Sequence, residues 1–398
     1  MDAGEQTAFA SDRLISLDVL RGVAVMGIFA MNIVNFAMPD AAYNNPAAFG
    51  LEGPADLIAW FASFVLIDGK MRALFSFLFG ASLLLVVTRA DAGGEDPARV
   101  HFSRMAWLLA FGAAHTVLIW DGDILVQYAL IGMIAYRFRN RPPPALAVAA
   151  GLLLLAQLLL VAGLDTILGA AGARDMFAAP GAGALAADLA VHRGPYADLL
   201  ARRWADVPQV PLIALLVHGC ETLAYMLAGL WGLKTGFLTG GWAMARYRRV
   251  AAIALGLTVA AYAGLGLLYW RGGFDTGQAF ALTNVTPTVL RPVMVVGIAA
   301  LVIILTANGG ALTTRIAAAG RCAFSNYLGA SLIATTIFYG HGLGLYGRLS
   351  RWELYPLVFA VWAAMLLWSA PWLARYRYGP FEYLWRSLSR GRAQPFRR

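Results

Sequence analysis

Ten apolar runs of membrane-spanning length, separated by short polar turns, leave this 398-residue chain few ways to fold. In hydrocarbon every backbone N–H and C=O must be paired within the protein. A chain of such runs therefore folds as a bundle of helices or closes into a barrel, and runs of about 17–25 residues have helical length. The reading is an all-α integral membrane protein with spans at 14–37, 71–88, 102–119, 123–137, 143–164, 209–232, 250–270, 288–307, 322–340 and 354–374. The stretch 55–67, ADLIAWFASFVLI, is too short to cross and is expected to lie in the interface or to re-enter. Arginines follow every even-numbered span: Arg89, Arg99 and Arg104; Arg137, Arg139 and Arg141; Arg246, Arg248 and Arg249; Arg315 and Arg321; and the tail. Asp40, Glu52, Asp121 and Asp123 follow odd ones. By the positive-inside bias, both termini are expected in the cytoplasm.

Composition narrows the class further. Hydrophobic residues make up 60% of the chain and charged residues 13%, about half the share of a soluble domain. The net charge of +9 is spread over loops and tail, so it reads as topology and lipid contact; nucleic acid is not an expected partner. Cys220 and Cys322 sit in apolar segments without metal-ligand spacing, which argues against a disulfide framework and a cysteine metal site. The first apolar run carries Asp18 and Arg21 and does not read as a cleavable leader. Residues 1–374 form the membrane domain, in which 166–208 is an outer cap or loop carrying Arg174, Asp188, His192, Arg202 and Arg203. Residues 375–398 form a basic tail. Its Phe381, Leu384, Trp385 and Leu388 share one helical stripe, as in a helix lying on the inner leaflet.

The polar residues inside the spans are the functional candidates, because each charge in a bilayer costs about 3 kcal/mol or more. Asp18 and Arg21 share a face of the first span, and Asn32, three turns on, points the same way; Asn35 lies close by. The stripe either lines a cavity or is a salt bridge and an amide holding helices together. His115 stands about 9 Å below the turn Asp121–Gly122–Asp123, where Asp123 could orient its ring for general base work. A hydrogen-bonded structural histidine is the plainer reading. His218 and Glu221, one turn apart in the sixth span, suit a proton relay or a polar lock. In IDGKMRALFSFLFG, Lys70 could bind an anionic group, while Arg72 is expected to snorkel to the interface. Arg321, Ser325, Asn326 and Tyr327 open the ninth span, where they could meet phosphates or cap the helix, and Arg291 could pair with a buried carboxylate.

The motifs LDVLRGVAVMGIFAMNIVNFAMP with AYNNP, KMRALFSFLFG, HTVLIWDGDILVQYALIGM, GRCAFSNYLGASLIATTIFYGHGLG and YGPFEYLWRSL occur in one order along nearly the whole chain. With them the sequence resembles the YeiB family of bacterial multi-spanning membrane proteins. More distantly, the first span is similar to that of the transmembrane acyltransferase superfamily, which includes the lysosomal heparan-glucosaminide N-acetyltransferase. There an Arg-Gly pair precedes a polar residue by ten positions, as Arg21–Gly22 precedes Asn32 here. The heparan enzymes carry a His shortly after that position and this chain does not, which makes His115 the substitute candidate. The resemblance implies acyl-CoA or acetyl-CoA as donor, with phosphates near Arg21, Arg321 and the inner basic loops, Asn32 at the carbonyl and His115 as base. It implies a small-molecule acceptor with an amine or hydroxyl, met in or beyond the membrane, and no metal. The rival expectations are a small-metabolite transporter built on His218 and Glu221, or a structural envelope protein. Lipids are expected partners in each case, and a homodimer is open.

Overall fold

The computed structural model describes residues 15–170, 178–206 and 209–398, and among them helices account for almost the whole chain. In order these are α1 (Ile15–Ala37), α2 (Pro54–Leu66), α3 (Lys70–Ala92), α4 (Pro97–Leu118), α5 (Leu125–Ala135), α6 (Pro143–Ala170), α7 (Ala182–Arg193), α8 (Tyr196–Asp206), α9 (Gln209–Lys234), α10 (Met244–Arg271), α11 (Thr286–Thr306), α12 (Ala311–Arg321), α13 (Ala323–Phe338), α14 (Leu354–Arg375) and α15 (Pro380–Arg390). Ten of them stand where the apolar runs lie. Seven segments are long and apolar enough to cross a membrane. Two further apolar helices are shorter, Leu125–Phe138 and Ala323–Phe338, and α4 completes the set with four ionisable side chains along its length. The protein is an all-α, multi-pass membrane protein.

Helix α1 is the hub. Its most apolar window is 78% buried, against 22% for α6 and 28% for α10 and α14, whose leucines and valines face outward as lipid contacts do. Helices α3, α11, α12, α13 and α14 all pack on α1. The approach of α12 is close enough that a Cβ on Gly320 would collide with the Asp18 carbonyl, so glycine is required there.

Helix α12 was not expected. Its half-polar sequence ALTTRIAAAGR reads as a loop between the eighth and ninth spans, yet it forms a helix under α1. Helix α2 breaks from α3 at Gly69, which has a left-handed backbone, and packs Trp60 and Phe64 against Tyr262 and Tyr269 of α10. The cap consists of the end of α6 together with α7 and α8. It is fastened to the loop after α13 by His192 stacked on Tyr346 at 4.0 Å and by Tyr346 donating to Asp188 at 2.9 Å. Arg174 lies outside the described residues.

The tail does more than lie on a leaflet. Trp385 donates to the Arg104 carbonyl at 2.9 Å, Ser103 donates to the Ser389 carbonyl at 2.7 Å, and Arg390 pairs with Glu95 at 3.0 Å. Glu382 accepts from the amides of Phe324 and Ser325 at 2.6 and 3.1 Å and from the Ser325 hydroxyl at 2.5 Å, capping α13 from outside. The apolar stripe thus meets α4 and α13 through Phe381 and Trp385, while Leu384 stays exposed.

Candidate functional site

A cavity of about 450 Å³ opens at the arginine-rich end between α1, α3, α4, α13 and the tail. Its walls are leucines and phenylalanines of α3, α4 and α13, and its deep end is formed by Tyr128 and Tyr327. Six arginines line it (Arg21, Arg89, Arg104, Arg321, Arg377 and Arg386), with Asp18 and Glu382 as the carboxylates. Asp18 takes the Arg21 guanidinium at 2.9 Å, and Arg21 also donates to Ser82 at 3.1 Å. Apolar walls beside a cluster of charged groups, at this volume, suit a small molecule that is part apolar and part anionic.

Behind the deep wall stands His115. Its Nδ1 lies 3.0 Å from Asp123 Oδ1, both side chains being only 1% exposed. The contact is off the hydrogen-bond axis, and neither ring nitrogen has an aligned partner among the described residues. Asp123 is held by its other oxygen, which accepts from the Val126 amide at 2.9 Å and starts α5. Gly112, one turn before His115, makes room for this: a Cβ there would meet Val126 N at 2.6 Å and Asp123 Oδ2 at 3.0 Å. The Tyr327 hydroxyl donates to Asp123 Oδ1 and accepts from the Ile124 amide, each at 3.4 Å, and its ring centroid is 5.3 Å from that of His115. Tyr327 also lines a second, water-sized void of about 10 Å³ with Phe29, Asn32 and Ser331. Asn32 is 6% exposed, and its amide makes no hydrogen bond among the described residues. Asp18, Arg21, Arg321 and Tyr327 therefore share the cavity, and Tyr327 joins it to His115, Asp123 and Asn32.

Other candidates stand elsewhere. Asn35 leaves the stripe and donates to Asp40 at 3.0 Å, near the opposite end. Asn326 is buried away from the cavity, donating to the Ala319 carbonyl at 3.0 Å and accepting from Trp368 at 2.8 Å, so it ties α13 to α12 and α14. Lys70 donates to the Phe64 carbonyl and lies 3.6 Å over the Tyr262 ring, with no route to the cavity. Arg72 does not snorkel. It is buried and donates to Glu221 at 2.9 Å, while Arg291 donates to the other oxygen at 2.5 Å and Tyr225 at 3.2 Å. Glu221 thereby links α3, α9 and α11. His218 lies 3.4 Å from Arg72. No group of three metal-ligating side chains occurs among the described residues.

Comparison with known proteins now places the chain. It is 33% identical over 394 residues to the uncharacterized protein YeiB of Escherichia coli K12, covering 96% of this chain and 98% of that one. The chain belongs to the YeiB family. It is also 30% identical to the uncharacterized protein YxaH of Bacillus subtilis 168, with 96% of each chain covered. A third relative, from Bacillus acidopullulyticus, is 24% identical over 402 residues. A family model described as a protein of unknown function, DUF418, matches residues 233–392. No solved structure matches. The DUF418 segment holds Arg321, Tyr327 and the docked tail, whereas Arg21, Asn32, His115 and Asp123 come from the first third of this YeiB-family chain.

Arg89 and Arg104 were expected near phosphates only as part of the inner basic loops, and Arg377, Glu382 and Arg386 were not singled out for this cavity. Their signal was present only as basic loop and tail residues, and which of them face inward depends on how α15 docks.

Proposed function

We propose that this YeiB-family protein is an acyl-CoA-dependent acyltransferase of a bacterial inner membrane, with both termini and the basic mouth of the cavity in the cytoplasm. The observation that carries the reading is a basic-mouthed, apolar-walled cavity whose deep end, Tyr327, touches a buried histidine–carboxylate pair. A thioester donor needs such a shape: cations for its phosphates, an apolar channel for its arm and a base where the chain ends. The arm would pass Asp18 and Arg21 towards Tyr327, with the phosphates among the arginines.

At the deep end the acceptor amine or hydroxyl would add its lone pair to the thioester carbonyl carbon. His115 Nε2, which has no aligned partner, would take the acceptor's proton. The unbonded amide of Asn32 would donate to the carbonyl oxygen as charge develops there. Collapse breaks the C–S bond, and the imidazolium returns the proton to the departing sulfur, leaving acylated acceptor and CoA thiol. Asp123, 3.0 Å from Nδ1, would orient the ring through both steps.

The test is thermal stability of the detergent-purified protein with acetyl-CoA and longer acyl-CoAs, followed by release of CoA thiol with amine and hydroxyl acceptors. A saturable stabilisation is expected, diminished in Arg21→Ala. His115→Ala should keep the stabilisation and lose about 10²- to 10⁴-fold in turnover. Absence of any response to acyl-CoA in well-folded protein, with uptake of a solute into proteoliposomes, would assign the family to transport instead.

A further inference from the structure

The mouth of the cavity holds more positive charge than its own carboxylates answer. Among the described residues that line it, Arg21 pairs with Asp18, while Arg89, Arg104 and Arg386 have no carboxylate within ion-pair distance. Both carboxylates are also committed: Asp18 to Arg21, and Glu382 to the first amides of α13. Arg104 lies 4.0 Å over the Trp385 ring and Arg386 lies 4.7 Å over the Tyr378 ring, positions that orient a guanidinium without neutralising it. Neither guanidinium makes a hydrogen bond or ion pair among the described residues, and nor does that of the exposed Arg89. Burial holds the Arg386 pKa below the usual guanidinium range; Tyr378 and Glu382 oppose this, and repulsion from Arg390 and Arg89 adds to it. Elsewhere the tail does pair its cations, Arg390 and Arg392 both reaching Glu95.

We infer that Arg89, Arg104 and Arg386 form a binding site for a ligand bearing several phosphates, with one of the three anion-binding side chains supplied by the docked tail. The inference deepens the acyl-CoA reading and rests on it for the ligand's identity. A phosphate monoester carries about −1.5 to −2 at neutral pH, and each phosphorus of a diphosphate diester adds one more negative charge. A nucleotide with a monoester and a diphosphate thus approaches about −4, enough to answer the three guanidinia of Arg89, Arg104 and Arg386. A lipid phosphodiester carries one charge and would leave most of theirs unanswered. Guanidinium–phosphate contacts are charge-assisted and can be bidentate, so an arginine cluster suits this ligand better than lysines would.

The probe is adenosine 3′,5′-bisphosphate, which carries two phosphate monoesters (about −3 to −4 in all) and neither diphosphate, arm nor thioester, added to the full-length protein in detergent. We expect saturable binding by calorimetry, weakened by raised salt, with adenosine alone silent. Arg386→Gln and Arg89→Gln should each weaken binding by at least about tenfold. Arg89 has no partner to lose, so its variant keeps the fold if α15 loosens in the other. No binding of the bisphosphate, or binding unchanged in both variants, overturns the site. Stabilisation by phosphatidylglycerol nanodiscs that depends on these arginines and is not competed by the bisphosphate also overturns it, in favour of a lipid headgroup. Bisphosphate binding without acyl transfer from any acyl-CoA would keep the phosphate site and sink the proposed function. Acyl transfer without bisphosphate binding would do the reverse.

Discussion

Two groups of buried or half-buried charges occupy this protein, and they are built on opposite principles. Around Glu221, one buried carboxylate takes hydrogen bonds from Arg72, Arg291 and Tyr225, so three helices meet at one group, while Arg72 Nη1 and Arg291 Nε have no hydrogen-bond partner among the described residues. Around the cavity, guanidinia stand against aromatic faces and open space, and His115 keeps its nitrogens unaligned behind Tyr327. Sequence alone made both look functional, since an ionisable residue in a span is costly wherever it stands. The difference lies in counter-charge: Arg72 and Arg291 share the Glu221 carboxylate across helices, whereas Arg89, Arg104 and Arg386 have no carboxylate partner among the described residues beside the cavity.

The comparison breaks most visibly at Glu221. Glu221→Leu leaves Arg72 and Arg291 buried with no counter-charge, and the expected cost is about 3–5 kcal/mol. In detergent this should appear as a large drop in Tm or loss of folded protein. If Glu221→Leu instead kept its Tm and lost only acyl transfer or solute uptake, the cluster would be a working site and the contrast would fail.

A smaller effect is expected where the tail meets the bundle. Glu382→Gln weakens three contacts at the start of α13, including the only carboxylate on the amides of Phe324 and Ser325 among the described residues. The expected loss is about 1–2 kcal/mol. Because the arginine-rich tail would then detach more often, trypsin should cut after Arg386 and Arg390 faster than in the wild type. Unchanged cleavage would mean that Trp385 and the Glu95 pairs hold α15 without the cap.

How much of this was legible in the sequence depends on which property had to be read. Helix positions follow from apolar length, so the ten runs and the ten helices coincide, with ends moving by a few residues, as at 102 against Pro97 and 164 against Ala170. The closeness of His115 and Asp123 was legible because one short turn joins them. Facing was not. Asn32 and Asn35 are three residues apart in a helix buried on nearly all sides, where hydrophobic periodicity cannot say which face meets a cavity. Lys70 and Asn326 misled for the same reason, as each is satisfied by neighbours distant in sequence or by a backbone carbonyl. The contact of Tyr327 with Asp123, 204 positions apart, is a product of packing alone. Helix α12 escaped notice because a polar 11-residue segment has neither the length nor the hydropathy of a span.

The gentlest test compares the cap with these interior groups. Asp188 accepts from Arg202 at 2.7 Å and from Tyr346 at 2.9 Å, with His192 Nδ1 3.4 Å away. Burial alone would raise its pKa, but His192, Arg202 and Tyr346 outweigh burial and bring it down from 3.8 to about 2. A carboxyl depressed in the folded state stabilises it fully above the unfolded value and loses that contribution as pH falls towards the folded one. The cap should therefore hold at neutral pH and loosen between about pH 4 and pH 2, by about 1 kcal/mol. Hydrogen exchange should record this as lost protection of α7 amides relative to those of α1 over that window. Asp188→Asn should show the weaker protection already at pH 7 and no further loss on acidification. Equal pH profiles for the two proteins would place the fastening of α7 in the stacking of His192 on Tyr346 rather than in the carboxylate.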